Sequence, residues 1–228
     1  MDSVHDAFSE KIWHNECKGS REDLIYWKQG ENFASLGIGH FIWYAKDKKE
    51  RFHETFPDLL LFLETQGVLL PPWLSTVREC PWDSREKFYA EINSSQMQSL
   101  RQFLWDTKHW QGLFIIHCFK HRFCEMIEMY PQIKDSFEIL IQEPGGLYAL
   151  TDYIHFKGDG MDVSEIYQRQ GWGLLQVFLE MKEGSLANFV QAAKNVLSQR
   201  VRNSPPERNE VQFLQGWFNR LDTYVAED

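Results

Sequence analysis

Cysteine is scarce in this chain: Cys17, Cys80, Cys118 and Cys124 are the only four among 228 residues. That is too few for a disulfide scaffold. On one helix, Cys118 and Cys124 would lie about 9 Å apart at a rise of about 1.5 Å per residue, beyond the roughly 7 Å reach of a bridge. Any bridge is therefore expected between Cys17 and Cys80, and only in an oxidising compartment. No run of about 18 apolar residues occurs, so no membrane-spanning helix is expected. Positive charge is also in deficit, with Lys and Arg at 24 against Asp and Glu at 33, a net charge of -9. This argues against a nucleic-acid partner, whose phosphates call for a basic patch, and against an anionic membrane surface. Internal repeats and low-complexity segments are absent. The first residues, Met1-Asp2-Ser3-Val4-His5-Asp6, lack the basic-then-apolar order of a secretory leader. The expected homes are the cytoplasm or, for a mature form with its leader removed, the periplasm or the exterior.

What the chain does have is core-forming material. Hydrophobic residues make up 43%, charged residues 25%, and there are nine tryptophans, the balance of a globular protein. A chain of this length buries about 70% of its unfolded surface, so no staples are needed. The pattern is mostly helical. Ser3 caps a first helix to Cys17, with Val4, Phe8 and Ile12 on its buried face. Residues 20–34 are polar and turn-rich, and 35–44 read as the best strand. Phe56-Pro57-Asp58 opens a helix with proline in its first turn, and Pro71-Pro72 reads as a rigid connector. Asp83 or Ser84, and Ser94 or Ser95, cap short helices. A long helix is expected over 108–129, then helices over 131–142, 146–156, 172–182, 186–202 and 209–225. The fold class is therefore mainly α (α+β), helical with one small N-terminal β-hairpin.

Several residue groups have chemical potential. Glu16 falls in the last turn of the first helix, three residues after Trp13. Partial burial and the negative end of the helix dipole both disfavour its anion. A carboxyl that keeps its proton is what a general acid needs. Glu31, in the polar turn Gly30-Glu31-Asn32, is placed to offer a second carboxylate. The glycines of Leu36-Gly37-Ile38-Gly39-His40 leave room for another backbone or for a ligand, with a β-bulge or crowded hairpin as the structural alternative. Phe156-Lys157-Gly158-Asp159-Gly160 leads to Glu165, Tyr167, Gln168, Gln170 and Trp172, an aromatic among polar groups of the kind that binds sugars. On the long helix, His117, His121, Cys124 and Glu128 form a stripe about 120° from the apolar face, which reads as a solvated flank. No metal and no cofactor are expected. In the last helix Phe213, Trp217, Leu221 and Tyr224 share one face, which reads as packing, with Arg220 supporting a carboxylate in the cleft as the functional alternative.

Asn15-Glu16 followed, after 20 residues, by Gly37-Ile38-Gly39-His40 resembles the lysozyme superfamily, especially the phage-type lysozymes. In that family a catalytic Glu ends the first long helix, a polar hairpin follows, and then a Gly-Ile-Gly-His motif. The resemblance covers residues 8–44. Glu31 is the nearest match to the family's second acidic residue. Over the wider chain, Asn15-Glu16-Cys17, Phe33 to Tyr44, and Gly171-Trp172-Gly173-Leu174-Leu175-Gln176 are similar to a largely uncharacterised bacterial family, many members of which carry export leaders. Gly173-Leu174-Leu175-Gln176 also resembles the Gly-Leu-Met-Gln motif of lytic transglycosylases.

The resemblance implies a single lysozyme-like domain over 1–228, perhaps best pictured as two lobes flanking a cleft. It implies a glycoside hydrolase or lytic enzyme acting on a β-1,4-linked amino-sugar polymer such as peptidoglycan. Glu16 would be the general acid, and Glu31 or Asp159 the second carboxylate. His40, Lys157, Asp159, Gln170, Trp172 and Arg220 would bind the polysaccharide. Two other readings stay open: a lysozyme-fold protein that binds glycan or protein without cleaving it, and a helical scaffold.

Overall fold

The computed structural model describes residues 2–48, 52–77, 79–162 and 166–225, with side chains from residue 9 onward. The expected roles of Ser3, Val4, Phe8 and Glu165 lie outside the described side chains. The protein is mainly α with a small antiparallel sheet near its N-terminus. It forms two compact units, residues 1–116 and 117–228.

The first unit opens with helix α1 (Asp2–Cys17), which buries Ile12 and Cys17 completely. A sheet of three strands follows in the order β1 (Ile25–Tyr26), β2 (Phe33–Leu36), β3 (Phe41–Tyr44). Its register pairs Ile25 with Leu36 and Leu36 with Phe41. The strand expected over 35–44 is thus two strands joined by a turn. Gly37 has φ +73° and His40 φ +46°, and the His40 amide donates to the Gly37 carbonyl (3.2 Å), so the chain reverses there.

The helices α2 (Phe56–Thr65), α3 (Pro72–Thr76), α4 (Arg85–Ala90) and α5 (Ser95–Asp106) complete the unit, together with the first part of α6 (Lys108–Met129). Pro72 begins a helix rather than a plain connector. Ser84 and Ser94 are the caps, their hydroxyls accepting from the Lys87 and Met97 amides. Aromatic residues fill the core: Trp43 packs on Phe56 at 4.8 Å and edge-on to Trp82 at 6.2 Å, and Trp82 meets Phe88 at 5.2 Å.

The second unit holds the rest of α6, then α7 (Lys134–Leu140), α8 (Gly146–Lys157), α9 (Leu174–Glu180), α10 (Leu186–Asn203) and α11 (Val211–Asp222). The helix expected over 131–142 begins as a 3-10 turn at Pro131–Ile133. The core contains Phe119, Phe123, Met126, Tyr153, Phe178, Phe189, Leu197 and Tyr224, and Phe123 stacks on Phe137 at 3.7 Å. Asp152 is fully buried. Its carboxylate takes two hydrogen bonds from Arg220 (2.9 and 2.8 Å) and one from Tyr224 (2.5 Å). A buried anion held by a guanidinium fork and a phenol is compensated for its lost hydration.

None of the four cysteines is in a disulfide, which corrects the expected Cys17–Cys80 bridge. Both are buried, Cys17 beside His40 and Cys80 in a bridge with Ala45. Among the described residues no helix is long and apolar enough to cross a membrane.

Candidate active site

The last turn of α1 and the turn between β2 and β3 meet. His40 Nδ1 lies 3.6 Å from Glu16 Oε2, with 23% and 17% of the two side chains exposed. Both groups are therefore sheltered but reachable. The other imidazole nitrogen faces inward: Nε2 lies 3.3 Å from the Asp23 carbonyl and 3.7 Å from Cys17 Sγ. A carbonyl only accepts, so it assigns the hydrogen of a neutral His40 to Nε2. The Nδ1 lone pair is then turned toward Glu16. Tyr26 covers the ring, stacked at 6.2 Å.

Cys17, His40 and Glu16 have the order of a thiol triad, but the thiol is unsuited to attack. Cys17 is fully buried. Burial first, then the charges of Glu16 and Asp23, push its pKa up to about 12, so it stays protonated near neutrality. Its hydrogen is directed at the carbonyls of Asp23 and Gly37, 3.7 and 3.8 Å away. The thiol packs and orients; it does not supply a thiolate.

The two glycines of the turn are explained by packing. A Cβ on Gly37 would stand 2.3 Å from Gln111 Oε1, and one on Gly39 2.8 Å from the Phe41 ring and 3.1 Å from Ile115. Gln111 is completely buried. Its Oε1 accepts from the Ile38 amide (2.9 Å), and its Nε2 donates to the Leu104 carbonyl (2.7 Å) and Thr107 Oγ1 (2.9 Å). The space the glycines open is filled by the protein itself.

Glu31 and Glu16 belong to opposite ends of β2 in the topology: Glu16 meets the Gly37–His40 turn, and Glu31 does not. It lies before Phe33, at the end of β2 remote from the Gly37–His40 turn, and the strand between spans roughly 13 Å at about 3.3 Å per residue. Lys28 Nζ is 3.7 Å from its carboxylate. Trp13 stands edge-on to Trp105 at 5.2 Å and under Lys108 Nζ at 4.3 Å.

In the second unit, Lys157, Trp172 and Arg220 join one aromatic and charged cluster. Lys157 Nζ sits 3.5 Å from the centre of the Trp217 ring and 4.0 Å from that of Phe156. Burial, and then the nearby Arg200, lower its pKa to about 6; Glu210 works against this and Arg220 adds to it. Arg200 lies over Trp172 at 4.1 Å and forks onto Glu210 (2.7 and 2.9 Å), which also accepts from Tyr167 (2.9 Å). Burial alone would raise Glu210, but the bonds from Arg200 and Tyr167 outweigh it and hold its carboxyl below the usual range.

Arg220 pairs with the fully buried Asp152 of α8, an internal carboxylate rather than one in a cleft. Asp159 is paired with Arg122 at 2.8 Å and accepts from the Met161 amide. Gln170 accepts from Asn203 (2.9 Å) and lines a polar cavity. His117, His121 and Cys124 are exposed along α6.

Sequence reasoning passed over Asp23, Gln111, Asp152, Arg200 and Glu210. Asp23 acts through its carbonyl, which no side-chain pattern reveals. The others acquire their roles from partners distant in sequence.

No protein-family model matches the chain, and no curated protein or solved structure does so either.

Proposed function

We propose that the first unit carries the acid of a lysozyme-like glycoside hydrolase or lytic enzyme that cleaves a β-1,4-linked amino-sugar polymer of the peptidoglycan type. The observation that supports this most is the pairing of a partly exposed Glu16 with His40, 3.6 Å away. With Nε2–H turned to the Asp23 carbonyl, a neutral His40 turns its Nδ1 lone pair to Glu16, an arrangement suited to a carboxyl that carries a proton. Glu16 gives that proton to the glycosidic oxygen as the C1–O bond breaks.

The remoteness of Glu31 favours chemistry with a single acid. In that scheme the sugar's own hydroxyl attacks C1 and returns its proton to the Glu16 carboxylate. The same remoteness gives weight to a second reading, in which the protein binds the glycan without cutting it.

The test is incubation of the full chain with purified peptidoglycan and with chitin oligomers, followed by mass analysis. Anhydro ends are expected from the single-acid route and reducing ends from hydrolysis. Polymer retained without new ends supports the binding reading and removes the catalytic one. Glu16→Gln keeps size and hydrogen-bonding reach, and should lower turnover by about 10²–10⁴-fold. Full activity in that variant would remove Glu16 from the mechanism.

A further inference from the structure

We propose that the polar cavity lined by α9, α10 and residues 169–171 binds a hydroxyl-rich anion: a small sugar carrying a carboxylate or a phosphate. The cavity lies wholly in the second unit, has a volume of about 640 Å³, and is of the size that takes small molecules. Nothing in this assignment requires catalysis by Glu16.

The loop on its rim is the first argument. Tyr167 and Gln170 exchange both backbone hydrogen bonds, at 3.0 and 2.9 Å. The two residues between them, Gln168 and Arg169, have φ +49° and +66°. This is a tight hairpin turn with both central residues left-handed, a form that favours Asn and Gly. Side chains with a Cβ are strained there, and such strain persists where the surroundings over-determine it and where function uses it. The surroundings do hold the turn: Tyr167 donates to Glu210 (2.9 Å) and Asn203 to Gln170 (2.9 Å). What the strained position delivers is Arg169 at the cavity wall.

Charge is the second argument. Arg169 and Arg202 line the cavity with one carboxylate, Glu180. That carboxylate already accepts from Asn195 (3.2 Å). The Arg202 fork is oriented by two bonds to Gln199 Oε1 (3.2 and 2.6 Å). Guanidiniums recognise carboxylate and phosphate through paired, charge-assisted bonds. The remaining wall is carboxamide and hydroxyl, from Gln170, Gln176 and Ser198, with Val196 as an apolar patch. Such a wall suits hydroxyl groups and repels an apolar ligand. The overall charge of -9 disfavours a polyanion such as nucleic acid and leaves a small ligand as the better fit.

The experiment titrates the full chain with glucuronate, glucose 6-phosphate, glucose and inorganic phosphate, followed by ¹H–¹⁵N NMR. Saturable shifts are expected at 168–171 and 195–202 with one or both anionic sugars, and the tighter of the two identifies the anion. Arg169→Gly should weaken that binding by about tenfold or more while the melting temperature holds or rises, because glycine relieves the turn. Arg202→Gln should weaken it similarly, and Glu16→Gln should leave it unchanged. The proposal is overturned if neither anionic sugar saturates, if glucose or phosphate alone binds as well, or if Arg169→Gly binds like the wild type.

Discussion

Lys157 shows how a single residue takes its chemistry from neighbours. Its amine is buried against Trp217 and Phe156, and that burial first, then Arg200 and Arg220, disfavours its charge, with Glu210 only a partial offset. The folded chain therefore releases this proton near pH 6, whereas an unfolded lysine keeps it to about 10.5. Between those values the unfolded state binds one proton more, so each rise in pH favours the folded state. The gain is present above the unfolded value and lost as pH falls through the folded one. Lys157→Met should remove this dependence. In urea unfolding, the wild type should gain on the variant by up to about 1.4 kcal/mol per pH unit from pH 7 to 9. Parallel curves would show that Lys157 keeps an ordinary pKa. Above pH 9 the buried thiols Cys17 and Cys80, both raised to about 12, oppose the trend by losing stability as pH climbs. The sequence singled out Lys157 as part of a polar-aromatic run; its unusual proton affinity comes from α10 and α11 and is not written locally.

The Gly37–His40 turn makes the same point one level up. Its glycines and its terminal histidine were legible as a special backbone segment close to Glu16. Its partner was not, because Gln111 lies 73 residues beyond Ile38. A glutamine inside a helix carries no mark of burial. Helix limits were more readable: α6 runs over 108–129 as its pattern implies, and Ser84 and Ser94 cap their helices, since caps and periodicity are local chemistry. The 35–44 segment failed as a strand because an apolar run does not reveal where it reverses; the positive φ at Gly37 and His40 does. Gln111→Leu should test the turn's attachment. It strands the Ile38 amide and the Leu104 carbonyl in the interior, and should lower stability by about 1–3 kcal/mol. If Glu16 is catalytic, activity should fall with it, as the turn loses its anchor and His40 its position. A variant as stable as the wild type in chemical denaturation would mean the amide finds another partner.

At the scale of the whole chain, the two units differ in what holds them. The first is built on aromatic packing around a small sheet, whereas the second combines an apolar cluster with buried ion pairs. Among the described residues, that cluster runs from Phe119 to Tyr224. The Asp152–Arg220 pair lies within the second unit, with Asp152 fully buried and Arg220 16% exposed at the side chain. Removing one partner of such a pair leaves the other charge without compensation, at a cost of about 3–5 kcal/mol. Tyr224, a single donor at 2.5 Å, replaces little of the fork. Arg220→Ala should therefore destabilise the second unit selectively. Native-state hydrogen exchange provides the measurement, because it reads opening segment by segment. Amides of α8, α10 and α11 should exchange faster by about two to four orders of magnitude, while those of β2 and β3 keep their protection. Asp152→Asn with Arg220→Met, which removes both charges, should recover much of the loss. Equal acceleration in the sheet and in α8 would mean that the chain opens as one cooperative body, and that the separate cores do not translate into separate stabilities.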